Sequence, residues 1–214
     1  RTRRRRAAVV CIGGDAALPA VRHALSMGAS AGYLIDDAAL AGADAAARSR
    51  MLAAALARIP ADLVLGGCKS ADTSSAQTMP RLAVLLGLPC VGVATALAVD
   101  PAAGTARVTR EIDDGVAVVE VPLPAVVTAQ QGLAEPRYPN VRAIMQSKKK
   151  PVTVWTLADL GVEAADAGAE ASRTRVLRYR AKPARQGGRI VEGETVPEAV
   201  AATVELLATE AKVW

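Results

Sequence analysis

Ala7-Ala8-Val9-Val10-Cys11-Ile12, closed by Gly13-Gly14 and followed by Asp15, is the run from which the fold is read. Six small or branched apolar residues with no polar interruption suit a strand buried on both faces, as strands of parallel sheets are. The glycine pair ends it. Val21, Ala24, Leu25 and Met27 then recur at helical spacing, with Asp15 placed to cap them and Gly28 to stop them. Tyr33-Leu34-Ile35 reads as a second strand closed by Asp36-Asp37, and Ala43 to Arg58 as an alanine-rich helix. Asp62 to Gly67 is the third strand, Pro80 to Leu86 the next helix, and Cys90 to Ala98 the fourth strand. Strand and helix alternating in this way predict an α/β fold, a mostly parallel sheet with helices on both faces.

Beyond residue 105 the pattern changes. Arg107 to Ile112 and Val116 to Val121 are extended stretches around Asp113-Asp114-Gly115, and an Asp-Gly step between strands signals a hairpin. Pro124 to Thr128 and Val152 to Trp155 read as further strands. Residues 161–193 are polar or rich in small side chains and read as an extended arm, while Pro197 to Ala211 has the amphipathic spacing of a helix that lies on something else (Val200, Val204, Leu207). The predicted organisation is a basic tail over 1–6, an α/β domain over 7–160, and a C-terminal arm and helix over 161–214 that packs on a partner.

Composition narrows the class. At 214 residues with 51% hydrophobic content the chain can bury a real core, but with 2% aromatic residues and no Phe that core is built from Ala, Val, Leu and Ile. The net charge of +5 is concentrated in the Arg1–Arg6 tail, Lys148–Lys150 and the Arg173–Arg180 segment. No aromatic stacking residues accompany the tail, which argues against nucleic-acid recognition. Cys11, Cys68 and Cys90 are odd in number, widely spaced and without a C-x-x-C pair, so neither a disulfide framework nor a zinc site is expected; a reducing, cytoplasmic compartment fits. Gly13, Gly14 and Asp15 interrupt the first apolar run too soon for a signal peptide or membrane helix. The chain has no initiator methionine, and the ordinary beginning of the protein is expected to lie ahead of Arg1.

Gly66-Gly67-Cys68-Lys69-Ser70-Ala71-Asp72-Thr73-Ser74-Ser75-Ala76-Gln77-Thr78, between the third strand and its helix, is the leading site candidate. Ligands of open α/β sheets bind at this edge, and small or hydroxyl residues ahead of a helix offer backbone N–H groups to an anion. Asp72 suits ribose or adenine-edge donors; Ser75, Gln77 and Thr78 suit phosphate oxygens. A capped helix start in an ordinary loop is the plainer alternative. Cys11-Ile12-Gly13-Gly14 is expected to form the second wall. Neither a Walker A loop nor G-x-G-x-x-G occurs, and the single histidine, His23, lies within a helical period. Asp36-Asp37 is favoured as a turn and cap over a metal site. A nucleotide-shaped site without an acid/base pair suits binding over turnover, so no catalytic residue is expected.

Glu135-Pro136-Arg137-Tyr138, then Val141, Ile144-Met145 and Lys148-Lys149-Lys150, joins a stiff turn to a positive surface, since Pro136 and Pro139 restrict themselves and the residues before them. This stretch resembles the partner-recognition loop of the β (small) subunit of electron transfer flavoproteins. Ala24 to Ala29, Asp62 to Thr78, and Arg110 to Asp113 with Leu123 to Lys150 agree with that family in order and spacing. The resemblance implies a Rossmann-like fold of the adenine nucleotide-binding type. It implies pairing with a larger α subunit that holds most of the FAD, and electron transport from flavin dehydrogenases to a membrane quinone reductase. It also implies a structural AMP, or a second FAD in its place, against Cys11, Ile12, Gly13, Cys68, Asp72, Ser75, Ala76, Gln77 and Thr78. Val141 stands where the family's exposed anchor is typically Leu. A free-standing adenine-nucleotide-binding module is the alternative.

Overall fold

The computed structural model describes residues 6–184 and 187–212; of the basic tail, Arg1–Arg5 lie outside the described residues. The opening run is strand β1 (Ala8–Ile12), which pairs in parallel with β2 (Ala31–Ile35), and β2 pairs in parallel with β8 (Val152–Trp155). Helix α1 (Leu18–Ser26) connects β1 to β2. Asp15 does not cap it: a 3-10 turn, Asp15–Ala17, intervenes, and Pro19 occupies the first helical turn, where no N–H donor is needed. Val21 and Leu25 are fully buried with Leu34 beneath them. The approach is close enough that a Cβ on Gly32 would come within 2.5 Å of Val21 Cγ1.

A second sheet has the order β3 (Leu63–Gly67), β7 (Ala125–Ala129), β4 (Cys90–Asp100), β5 (Thr105–Ile112), β6 (Gly115–Pro122). β3, β7 and β4 run parallel, and β4, β5 and β6 form an antiparallel meander. The α/β class therefore holds, with four of six strand pairings parallel. The expectation of a single sheet is corrected. β7, whose Ala125 to Thr128 are all buried, inserts between β3 and β4, and β8 extends the first sheet, where Trp155 stacks on Tyr33 at 4.7 Å. Among the described residues, β1 and β3 each pair on one side only.

Helices α2 (Ala45–Leu56) and α3 (Thr78–Leu86) tie the two halves together. Ser49 of α2 is fully buried, and its Oγ reaches both Ala45 O (2.6 Å) and Thr78 O (2.9 Å). The predicted strand four carries a bulge: Val93 adopts φ +61°, and its amide donates to Thr128 Oγ1 at 3.0 Å.

Helices α4 (Val141–Ser147) and α5 (Leu157–Leu160) follow β7 and β8; a reciprocal cap between Thr156 and Asp159 opens α5. Residues 161–175 pack on α2, where Asp44 accepts from the Arg173 and Thr174 amides and its own amide donates to Ser172 Oγ. The chain divides into two compact units after Arg175, whereas the sequence reading began the arm at residue 161. In the second unit, α6 (Val196–Thr209) buries none of its residues, and Arg189 and Glu210 form an exposed ion pair at 3.3 Å. No helix among the described residues is long and apolar enough to cross a membrane.

Candidate functional site

At the carboxyl ends of β1 and β2 lies a cavity of about 460 Å³ lined by Ile12, Gly13, Gly14, Asp36, Asp37 and Arg48, among others. The glycine turn makes room for it. Gly13 has φ +154°, and a Cβ there would meet Ala17 Cβ at 2.9 Å; a Cβ on Gly14 would stand 3.3 Å from Asp36 Oδ1. The two aspartates part company here. Asp37 accepts from the amides of Ala39 (3.0 Å) and Leu157 (3.1 Å), which hold its carboxyl below the usual range, so it is a turn cap as its sequence context implies. Among the described residues nothing donates to the side chain of Asp36, which lies open to the cavity.

The second wall is built separately. Cys68 follows β3, half-buried, with its amide donating to Ala129 O at 2.9 Å. Asp72, Ser75, Ala76 and Gln77 are exposed, and Thr78 is half-buried as the first residue of α3. Ser74 and Ala76 adopt left-handed φ of 49° and 51°, an uncommon conformation for residues with a Cβ. Asp72 is held below the usual carboxylate range chiefly by a hydrogen bond from Ser70, then by the Thr73 amide, with a small contribution from the charge of Arg48. Gln77 Oε1 is occupied by Arg81 at 3.1 Å.

Of the nucleotide set expected from sequence, Ile12 and Gly13 line the cavity, and Cys11, Cys68, Asp72, Ser75, Ala76, Gln77 and Thr78 do not. Cys11 packs its side chain against the Val21–Leu25–Leu34 cluster, and burial pushes its thiol, like that of Cys90, upward and away from reactivity. Arg48 and Asp36 also line the cavity, and the sequence assigns neither to binding. The signal for Asp36 was its spacing, about twenty residues after the glycine turn, where an acidic residue meets ribose in dinucleotide folds. Arg48 had none, because a cation within a helical run reads as solvated surface. Among the described residues no three His, Cys, Asp or Glu side chains gather as a metal site.

Glu135, Pro136, Arg137 and Tyr138 are exposed and without regular structure, with Tyr138 at 97% of its full accessibility. Asn140 then caps α4, its Oδ1 accepting from the Ala143 amide at 2.8 Å. Val141 is therefore the first residue of a helix, not part of the loop as expected, because Asn at this position terminates the preceding turn and starts a helix. Val141 and Met145 remain 74% and 65% exposed, with Ile144 beside them. Lys148 and Lys149 are exposed, but Lys150 is not a free cation: its Nζ donates to Leu25 O and Ala29 O, both at 2.6 Å, at the carboxyl end of α1. Arg22 in turn donates to the carbonyls of Ser147 and Lys150 at 2.8 Å, so α1 fixes the start and the end of this basic run.

The two sheets, their linking helices and a cavity at the strand ends define an α/β protein. Residues 2–160 match the Electron transfer flavoprotein domain family. The chain belongs to the electron transfer flavoprotein family, as a beta subunit, and electron transfer is the work of that family. It is 42% identical over 186 residues to an electron transfer flavoprotein subunit beta of Syntrophomonas wolfei, covering 87% of this chain and 68% of that protein. Against the beta subunit of Bacillus subtilis the identity is 37%, covering 95% and 77%. It is 36% identical to the Caffeyl-CoA reductase-Etf complex subunit CarD of Acetobacterium woodii, covering 93% of this chain and 76% of that protein.

Proposed function

We propose that this chain is the non-catalytic half of a heterodimeric shuttle that takes electrons from flavin dehydrogenases, such as acyl-CoA dehydrogenases, toward a membrane quinone reductase. An α subunit holds most of the FAD, which supplies the redox chemistry when bound there. This chain contributes a structural adenylate site and the surface that docks the dehydrogenase. The cavity at Gly13–Gly14 fits an adenylate: its volume lies within the range of small-molecule sites, and an acceptor carboxylate and a guanidinium both face it.

The observation that carries the docking role is the apolar face of α4 beside two free lysines. Val141 and Met145 stand exposed on a helix whose ends are pinned by Asn140, Arg22 and Lys150, with Tyr138 exposed in the stretch before it, a preordered anchor with a positive rim at Lys148 and Lys149. Anchor and rim should fail differently. Val141→Ala removes the equivalent of two methylenes, each worth about 0.8 kcal/mol when buried, and should slow electron acceptance roughly tenfold through faster dissociation. Neutralising Lys148 and Lys149 to Gln should lower the association rate and flatten its salt dependence. Stopped-flow reduction at two ionic strengths separates these outcomes. Unaltered transfer in both variants would make the segment a structural one.

A further inference from the structure

No carboxylate stands between Glu170 and Glu192, whereas Arg173, Arg175, Arg178, Arg180 and Lys182 follow one another closely there, a basic run that neither the cavity nor α4 uses. The second compact unit opens on its centre, Val176-Leu177-Arg178-Tyr179-Arg180-Ala181-Lys182. This stretch has no regular structure and every residue of it is exposed, Leu177 to 86% and Tyr179 to 90%. Among the described residues none of Arg178, Arg180 and Lys182 meets a carboxylate, and the ion pair of this unit, Arg189 with Glu210, lies beyond them in the chain.

Apolar and basic side chains alternate here, so in an extended chain Leu177 and Tyr179 fall on one side and Arg178, Arg180 and Lys182 on the other. Pro183 biases Lys182 toward that conformation. Large apolar side chains interleaved with unpaired cations complement a surface that is negative outside and apolar just beneath. We infer that Val176 to Lys182 is a peripheral anchor for anionic lipid bilayers, with Leu177 and Tyr179 entering the boundary between headgroups and acyl chains and the three cations bonding headgroup phosphates. Long cationic side chains reach round an apolar strip to the headgroups, and tyrosine favours that boundary because its ring is apolar and its hydroxyl stays wet. Nucleic acid fits less well, since a single aromatic residue offers no stacking series and Val176 and Leu177 find no apolar counterpart along a phosphate backbone. Each cation near an anionic membrane strengthens binding roughly fivefold, so the three together give roughly a hundredfold. The anchor is independent of the docking role of α4 and of the adenylate cavity.

The test sediments the full chain, in complex with its α subunit, with vesicles of phosphatidylcholine alone or mixed with phosphatidylglycerol, at low and high salt. The complex should bind the mixed vesicles, ignore phosphatidylcholine, and lose most of its binding at high salt, where surface charges are screened. Replacing Arg178, Arg180 and Lys182 together by Gln should weaken binding roughly a hundredfold. Leu177→Ser with Tyr179→Ser should weaken it roughly tenfold while leaving its salt dependence in place. All five positions are exposed and outside regular structure, so unchanged melting of the variants is expected and is checked alongside. Wild-type complex that fails to sediment with phosphatidylglycerol vesicles overturns the anchor, as does binding by the chain alone that the α subunit abolishes. Loss of binding in Lys148→Gln with Lys149→Gln, and not in the arm variants, would move the membrane contact to α4 and overturn it equally. Retention on polyuridylate in preference to vesicles would make the run a nucleic-acid contact instead. Because the readout is vesicle binding and not electron transfer, its failure leaves the shuttle reading untouched.

Discussion

Asp44 shows how much one side chain carries. It caps α2 through the Ala47 amide at 2.9 Å and accepts from the Arg173 and Thr174 amides and from Thr174 Oγ1, so it clasps residues 173–174 to the helix. Burial pushes its carboxyl up, but the bonds from Ala47, Arg173 and Thr174 together outweigh that and hold it at about 2. A carboxyl depressed in the folded state adds stability that is fully present above its unfolded value near 4 and is lost as pH falls through about 2. Melting temperatures between pH 5 and pH 2 should fall less steeply for Asp44→Asn than for wild type; parallel curves would remove this role. Thr128 is the second case. Its buried hydroxyl is the acceptor for the amide of Val93 in the β4 bulge, so Thr128→Val should cost about 1–3 kcal/mol in urea unfolding, with Thr128→Ser closer to wild type.

Among the elements, the segment from Gly161 to Arg175 is held by side-chain bonds to α2 and by one close backbone approach. Gly168 donates its amide to Ala39 O at 3.1 Å, and a Cβ on it would collide with that same oxygen. Gly168→Ala should therefore lower the melting temperature and raise hydrogen exchange at the first turn of α2, both measurable on the intact chain. Helix α6 is the opposite case, with Val200, Val204 and Leu207 along one exposed face and no buried residue. If that face seats on the α subunit, Val204→Glu should abolish co-purification with it and leave the melting of the first unit unchanged. Retained co-purification would count against α6 as an interface.

The molecule as a whole presents β1 and β3 with one unpaired edge each among the described residues, and Leu65 of β3 is 56% exposed. Open parallel edges on apolar strands invite association. Expressed alone, the chain should sediment as a concentration-dependent mixture, and co-expression with its α subunit should yield a defined heterodimer. A sharp monomer at all concentrations, indifferent to an α subunit, would contradict both the edge argument and the pairing.

What the sequence determined by itself was the list of elements and the family. Apolar runs such as Val9–Ile12 and Val126–Thr128 favour extended structure, the Asp-Gly step at 114–115 turns a hairpin, and the Glu135–Lys150 stretch carries its own local stiffness through two prolines. These signals are local, and the structure reproduces them to within a few residues. Which strands lie side by side was decided only by tertiary contacts, because a strand buried on both faces carries no mark of its neighbour. The same holds for the site. The glycine turn was legible, but Asp36 and Asp37 are indistinguishable in sequence until Leu157, 120 residues away, satisfies one and leaves the other open to the cavity. Lys150 likewise reads as one of three equal cations until the carbonyls of Leu25 and Ala29 claim it. Long-range hydrogen bonds assign such roles, and they exist only after the chain has folded.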